Sequence, residues 1–107
     1  LLESLFLHEP SLGATVVIDD GSQHEGELLQ QSPRRTQFQF LRQAHAGLTV
    51  AWNRALATVT TPYAIVLNND VLAHGPAIDR LVEPLRQNQA KVVGPGWRDE
   101  REWPPLT

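Results

Sequence analysis

The chain has 107 residues, with 9 Lys+Arg against 12 Asp+Glu for a formal net charge of −3, and it contains neither cysteine nor methionine. That length gives one small domain. The missing cysteines exclude disulfides, thiolate metal sites and cysteine nucleophiles. The mild acidity argues against a nucleic-acid module, which carries a basic face, and no run of ~18 apolar residues is present to form a membrane span.

Leu1, Leu2, Leu5 and Phe6 keep a helical spacing with no start signal before them. The first element therefore reads as a short helix, about Leu1 to Leu7, cut at its beginning. The tail Trp103-Pro104-Pro105-Leu106-Thr107 is turn-like and closes on no element, so a piece of a larger protein is expected. After the breaker segment Pro10 to Gly13, the run Ala14 to Ile18 is β-branched and apolar throughout. It suits a strand buried on both faces, ending at Asp19-Asp20-Gly21.

Ser22 and Glu25 have the spacing of a capping box and open a helix, with Leu28 and Leu29 on its apolar side and Ser32-Pro33 as its stop. Arg34-Arg35 reads as a solvated loop. Thr36 to Leu41 alternates, with Phe38 and Phe40 on one face and Gln37 and Gln39 on the other, as in a strand with one wetter face. Leu48, Ala51, Trp52, Ala55, Leu56 and Val59 recur at helical spacing behind Ala46-Gly47. They predict an amphipathic helix with Trp52 in the core, ended by Thr61-Pro62. Tyr63 to Leu67 is a second apolar strand, ending at Asn68-Asn69-Asp70. A helix with Ile78, Leu81, Val82 and Leu85 on one face follows, with Pro84 inside to kink or shorten it. Lys91-Val92-Val93 reads as a last short strand, closed by the turn Gly94-Pro95-Gly96.

Strands separated by helix-length crossovers pair in parallel. The fold class is therefore α/β, a doubly wound parallel sheet. Ligands of such sheets bind beyond the carboxyl ends of the strands, and both acidic clusters fall there. A carboxylate at that edge can accept a ribose hydroxyl or a base N–H. A second one can hold Mg²⁺ or Mn²⁺, hard cations that take one or two carboxylates and complete their shell with substrate phosphates. A turn-forming role is the plain alternative for either cluster.

Other chemistries have less support. No G-x-G-x-x-G follows the first complete strand and no G-K-[ST] is present. Ser22 lacks a nucleophile-elbow context. His8, His24, His45 and His74 have no metal-ligand spacing. A receiver-like phosphoacceptor module would need a lysine after a strand, whereas Lys91, the only lysine, precedes one.

The ordered set Val16-Val17-Ile18-Asp19-Asp20-Gly21-Ser22, then Ala46-Gly47-Leu48 with Ala51-Trp52-Asn53, then Tyr63 to Leu67 with Asn68-Asn69-Asp70-Val71, resembles the family 2 glycosyltransferases. The likeness covers nearly the whole chain. It implies the GT-A fold and the inverting, metal-assisted transfer of a sugar from a nucleotide-diphosphate sugar to a hydroxyl acceptor, carbohydrate or lipid-linked. Residues 1–107 would be a partial GT-A domain, its donor-nucleotide-binding half. The first central strand and the C-terminal half would be missing, and with them the catalytic base, so this piece alone would be inactive.

Carried over by position, Asp19, Asp20, Gly21 and Ser22 match the donor-nucleotide motif. Gly47 and Asn53 match the central motif, with His45 where asparagine is usual. Asn68, Asn69 and Asp70 match the D-x-D position, with Asp70 as ligand of a divalent metal (Mg or Mn). Asn68 replaces the first aspartate, and L-N-N-D-V looks like the rhamnosyltransferase-like branch. The resemblance also implies work on polysaccharide in the cytoplasm, joined to a membrane through regions beyond these residues. A non-catalytic or degenerate nucleotide-sugar-binding relative is the alternative. Without the central strand, the piece is expected to be poorly stable or to pair Ala14–Ile18 with Tyr63–Leu67.

Overall fold

The computed structural model describes residues 1–10 and 12–94. The elements run α1 (Leu2–His8), β1 (Val16–Asp20), α2 (Glu25–Gln30), a 3₁₀ turn at Arg35–Gln37, β2 (Gln39–Gln43), α3 (Leu48–Leu56) and α4 (Ile78–Arg86). β1 and β2 form a two-stranded parallel sheet, with Val16 opposite Gln39 and Asp20 opposite Gln43. The crossover between them contains α2, as parallel pairing requires. α3 packs on β1. The α/β class and the parallel pairing therefore hold.

Several boundaries move, and two expected strands are absent from the sheet. β1 starts at Val16 and includes Asp19 and Asp20, so the acidic pair belongs to the strand and not to the turn after it. β2 starts at Gln39, because Arg35–Gln37 coils into a 3₁₀ turn first. The Phe/Gln alternation is real: Phe38 is buried while Gln37 and Gln39 are exposed. Tyr63–Leu67 and Lys91–Val93 make no ladder, and Tyr63, Ile65 and Val66 are exposed. Pairing of Ala14–Ile18 with Tyr63–Leu67 is not formed; β1 pairs with β2 instead. The expected turn at Gly94-Pro95-Gly96 and the tail with Trp97 and Trp103 lie outside the described residues, Gly94 apart.

The core is thin. Among the described residues only Leu5, Phe38 and Ala51 are buried hydrophobics. β1 is half-buried rather than enclosed on both faces, since a sheet of two strands presents little surface for helices to cover. α3 turns its small residue Ala51 toward β1 and leaves Leu48, Trp52 and Leu56 exposed. Trp52 is thus a surface residue, because the expected apolar stripe meets no opposing strand. Pro84 sits inside α4, which ends two residues later at Arg86. No helix among the described residues is long and apolar enough to cross a membrane.

Arginines substitute for part of the missing core. Arg34 pairs with Glu3 at 2.7 Å and lies over the Phe6 ring. Arg35 lies over both Phe38 and Phe40 and donates from Nη1 to the Phe38 carbonyl at 3.0 Å. The pair is therefore packed on aromatic rings, where guanidinium planes stack well, and is not a free solvated loop.

Candidate functional site at the carboxyl end of the first strand

Side chains alternate along a strand, and Asp19 and Asp20 accordingly serve different neighbours. Register sets both partners: Asp19 stands opposite Arg42 and Asp20 opposite Gln43. Cross-strand pairs of this kind are close enough to interact directly.

Asp20 ties the end of β1 to the loop that leads from β2 into α3. Its Oδ1 accepts from Gln43 Nε2 at 2.8 Å and from the Ala46 N–H at 2.8 Å; its Oδ2 accepts from the Gly47 N–H at 3.0 Å. His45 Nδ1 is 3.1 Å from Oδ2 and 3.2 Å from the Asp20 carbonyl oxygen. The Gln43 amide first and then the Ala46 N–H hold the Asp20 carboxyl below its ordinary value; desolvation opposes them, and the Gly47 N–H and the imidazole add smaller lowering effects. Gly47 precedes α3 with φ +103, and Gly21 follows Asp20 with φ +83. Only glycine enters that region without strain.

Asp19 is buried. Its Oδ1 accepts from the Ser22 N–H at 2.9 Å, which turns the chain out of β1. Its Oδ2 lies 3.3 Å from Arg42 Nε yet has no hydrogen-bond partner among the described residues. A buried carboxylate oxygen without one is uncommon. Gly26 makes the cradle, since a Cβ there would collide with Asp19 Oδ2. Gly26→Ala should therefore destabilise the chain by about 1–3 kcal/mol through overpacking, although alanine is the better helix former by ~1 kcal/mol. Chemical denaturation of the two proteins measures this, and an equally or more stable variant would remove the cradle.

The expected capping box does not form, since the N-cap of α2 is His24 and makes no side-chain cap bond, but Ser22 still takes one N–H of the first turn. Its Oγ accepts from the Gly26 N–H at 3.1 Å, while the Glu25 carboxylate takes the His24 N–H at 3.3 Å and not that of Ser22. The helix begins at Glu25 because Ser22–His24 forms a bend first.

Asp19, Asp20, Gly21, Ser22 and Gly47 thus come together at one strand end. Asn53 lies on an exposed position of α3, and Asn68, Asn69 and Asp70 are exposed in an irregular segment. With no strand over 63–67, this cluster does not sit at a sheet edge as the periodicity predicts. Asn68–Asp70 make no hydrogen bond among the described residues. No group of three or more His, Cys, Asp or Glu side chains comes together for a metal there either. One carboxylate beside two amides still suits Mg²⁺ or Mn²⁺ held chiefly by phosphate oxygens and water; it does not make a cage for a resident ion.

Arg42 and Gln43 escape the sequence reading because the strand was expected to end at Leu41. Glu9 escapes it too, since its partners, the Ala77 and Ile78 N–H groups, lie 68 and 69 residues away. The cross-strand register would have exposed the first two; no local signal marks the third.

A family model described as glycosyl transferase family 2 matches residues 1–102. The chain belongs to glycosyl transferase family 2. Membership supports an α/β GT-A fold, glycosyltransferase activity in the general sense, and a nucleotide-sugar donor with an acceptor. No curated protein and no solved structure matches the chain.

Proposed function

We propose that this family 2 chain carries the donor-binding half of an enzyme moving a sugar from a nucleotide-diphosphate sugar to a hydroxyl acceptor. The observation that carries the reading is the carboxyl end of β1. There a buried carboxylate oxygen of Asp19 lacks a hydrogen bond, in the place where open parallel sheets take their ligands. Asp19 Oδ2, which meets only the Arg42 guanidinium, is the oxygen with hydrogen-bonding capacity left for a donor N–H or hydroxyl, reached when that pair opens. Asp20, with its hydrogen bonds already made, shapes the neighbouring loop, and the glycines at 21 and 47 let the backbone turn closely around it.

In the reaction, the acceptor oxygen forms a bond to the anomeric carbon as the bond to the diphosphate oxygen breaks. In-line attack inverts that carbon, and the acceptor proton leaves to a base. A divalent cation brought with the diphosphate would neutralise the charge gathering on the leaving group. Asp70 is the residue that would hold it, with Asn68 and Asn69 as neutral hydrogen-bonding neighbours. The sequence L-N-N-D-V at 67–71 supports a rhamnosyltransferase-like branch.

The test is calorimetric titration of the full chain with uridine, thymidine and guanosine diphosphates, with Mn²⁺ and with a chelator. Asp70→Ala should abolish the metal-dependent gain in affinity and leave metal-free binding in place. Equal Mn²⁺ gain in both proteins refutes the metal role; no binding of any probe refutes the donor site. Asn68, which brings no charge to the cation, favours a second reading, a binding-only relative of the same fold. Turnover of any nucleotide sugar by the complete protein excludes it.

A further inference from the structure

The segment carrying Asn68, Asn69 and Asp70 makes no hydrogen bond of its own among the described residues, but its exit is held firmly. Ser4 Oγ accepts the Ala73 N–H at 3.0 Å, and its own hydroxyl donates to the Leu1 carbonyl at 2.8 Å. Glu9 Oε1 accepts the N–H groups of both Ala77 and Ile78, the latter at 3.1 Å. Glu9 is only 6% exposed, and its carboxylate meets two of the free N–H groups at the start of α4, where negative charge is favoured. Charge-assisted bonds of this kind are about twice as strong as neutral ones. Ser4 of α1 and Glu9, the residue that closes that helix, one at each end of the stretch from 73 to 78, thus fix the backbone that follows the Asp70 segment. Ala73 is three residues after Asp70, so the Asp70 Cα stays within about 11 Å of that anchor.

We propose that α1 is the positioning element for Asp70, with Ser4 and Glu9 as its positioning residues. This rests on the reading of Asp70 as the residue that meets the metal-bound diphosphate. A carboxylate on a segment free at both ends spends part of any binding energy on ordering; anchoring one end removes part of that cost. Small misplacements of such a group have large effects, up to ~10² for about 1 Å. Neither residue hydrogen-bonds to Asp19 or Asp20, and so both should affect only the metal-dependent component.

The experiment uses the full chain and its Ser4→Ala, Glu9→Ala and Glu9→Gln variants. Affinity for uridine diphosphate is measured with Mn²⁺ and with a chelator, and amide exchange is followed at Ala73, Ala77 and Ile78. In Glu9→Ala the Mn²⁺ gain should fall roughly tenfold, while metal-free affinity stays within about twofold and the Ala77 and Ile78 amides exchange faster. Glu9→Gln keeps an acceptor oxygen and should recover most of the gain. Ser4→Ala should act in the same direction through Ala73. An unchanged Mn²⁺ gain in variants whose amides exchange faster overturns the proposal and leaves the reading of Asp70 standing. An equal loss of metal-free and Mn²⁺-dependent affinity also overturns it, since that is the mark of a purely structural role. A wild-type chain that binds the nucleotide with no Mn²⁺ gain overturns the reading of Asp70 itself, and this inference with it.

Discussion

Replacing Asp20 with alanine should open the loop between β2 and α3, seen as faster exchange of the Ala46 and Gly47 amides by roughly tenfold or more. Both amides donate to this carboxylate, one to each oxygen, and Gln43 donates to it from across the sheet. Alanine leaves all three donors to water. Asp20→Asn is the finer probe, because its single side-chain oxygen can keep one amide bond but not both. The pH dependence follows from the direction of the shift. Asp20 in the folded chain titrates below its ordinary 3.8, so its contribution to stability is full above that value. The contribution is lost as the pH falls through the lower folded-state value. The Ala46 and Gly47 amide shifts, followed by NMR from pH 6 downward, should therefore hold steady through pH 4 and move together only below it. Asp20→Asn should abolish that inflection. An inflection at or above the ordinary value, or one that survives in the asparagine variant, would show that another group controls the loop.

Gly21→Ala should be the most damaging small substitution in the chain. At φ +83 any side chain is strained, by about 1–2 kcal/mol. A Cβ there would also stand 2.7 Å from the His45 backbone nitrogen, which belongs to the same loop that Asp20 holds. Backbone on both sides cannot give way cheaply, and overpacking adds roughly 1–3 kcal/mol. The combined loss is a large share of the ~5–15 kcal/mol that holds a typical domain. Gly47→Ala supplies the comparison. Nothing lies within 4 Å of its built Cβ, so it should show backbone strain without overpacking, at φ +103 and ψ 162, a region essentially reserved for glycine. Denaturation midpoints of both variants should fall well below that of the parent chain. A Gly21→Ala midpoint equal to the parent's would mean that neither the strain nor the approach of His45 has a cost.

The elements that were legible in the sequence are those whose signals are local. β1 declared itself through a β-branched run and α3 through its helical period, and the parallel pairing followed from a helix-length crossover. Asp19 and Asp20 were placed at the strand end by the pattern itself, whereas Gly21, Ser22 and Gly47 entered as site residues only through the family resemblance; the structure brings the five together at one strand end. What failed depended on a third surface. Tyr63–Leu67 has every local mark of a strand, yet a ladder needs a neighbour at the right edge, and none is supplied within residues 1–94. The same missing partner explains why Trp52 and Leu56 are exposed although their spacing is that of a core face. Local pattern also could not say that Asp20 would be consumed by the loop while one oxygen of Asp19 met only Arg42. That division comes from the register of β1 against β2, and a two-residue error in the end of β2 was enough to hide Arg42 and Gln43.

The grip of Glu9 on the start of α4 also has an entropic cost. β1 and β2 meet across 23 residues, whereas Glu9 reaches Ala77 across 68. Closing the longer loop costs about 1 kcal/mol more in chain entropy, and it gains few apolar contacts in return. Loop-closure entropy thus favours the β1–β2 pairing over the Glu9 contact, so in hydrogen exchange the Ala77 and Ile78 amides should open more readily than those of the sheet.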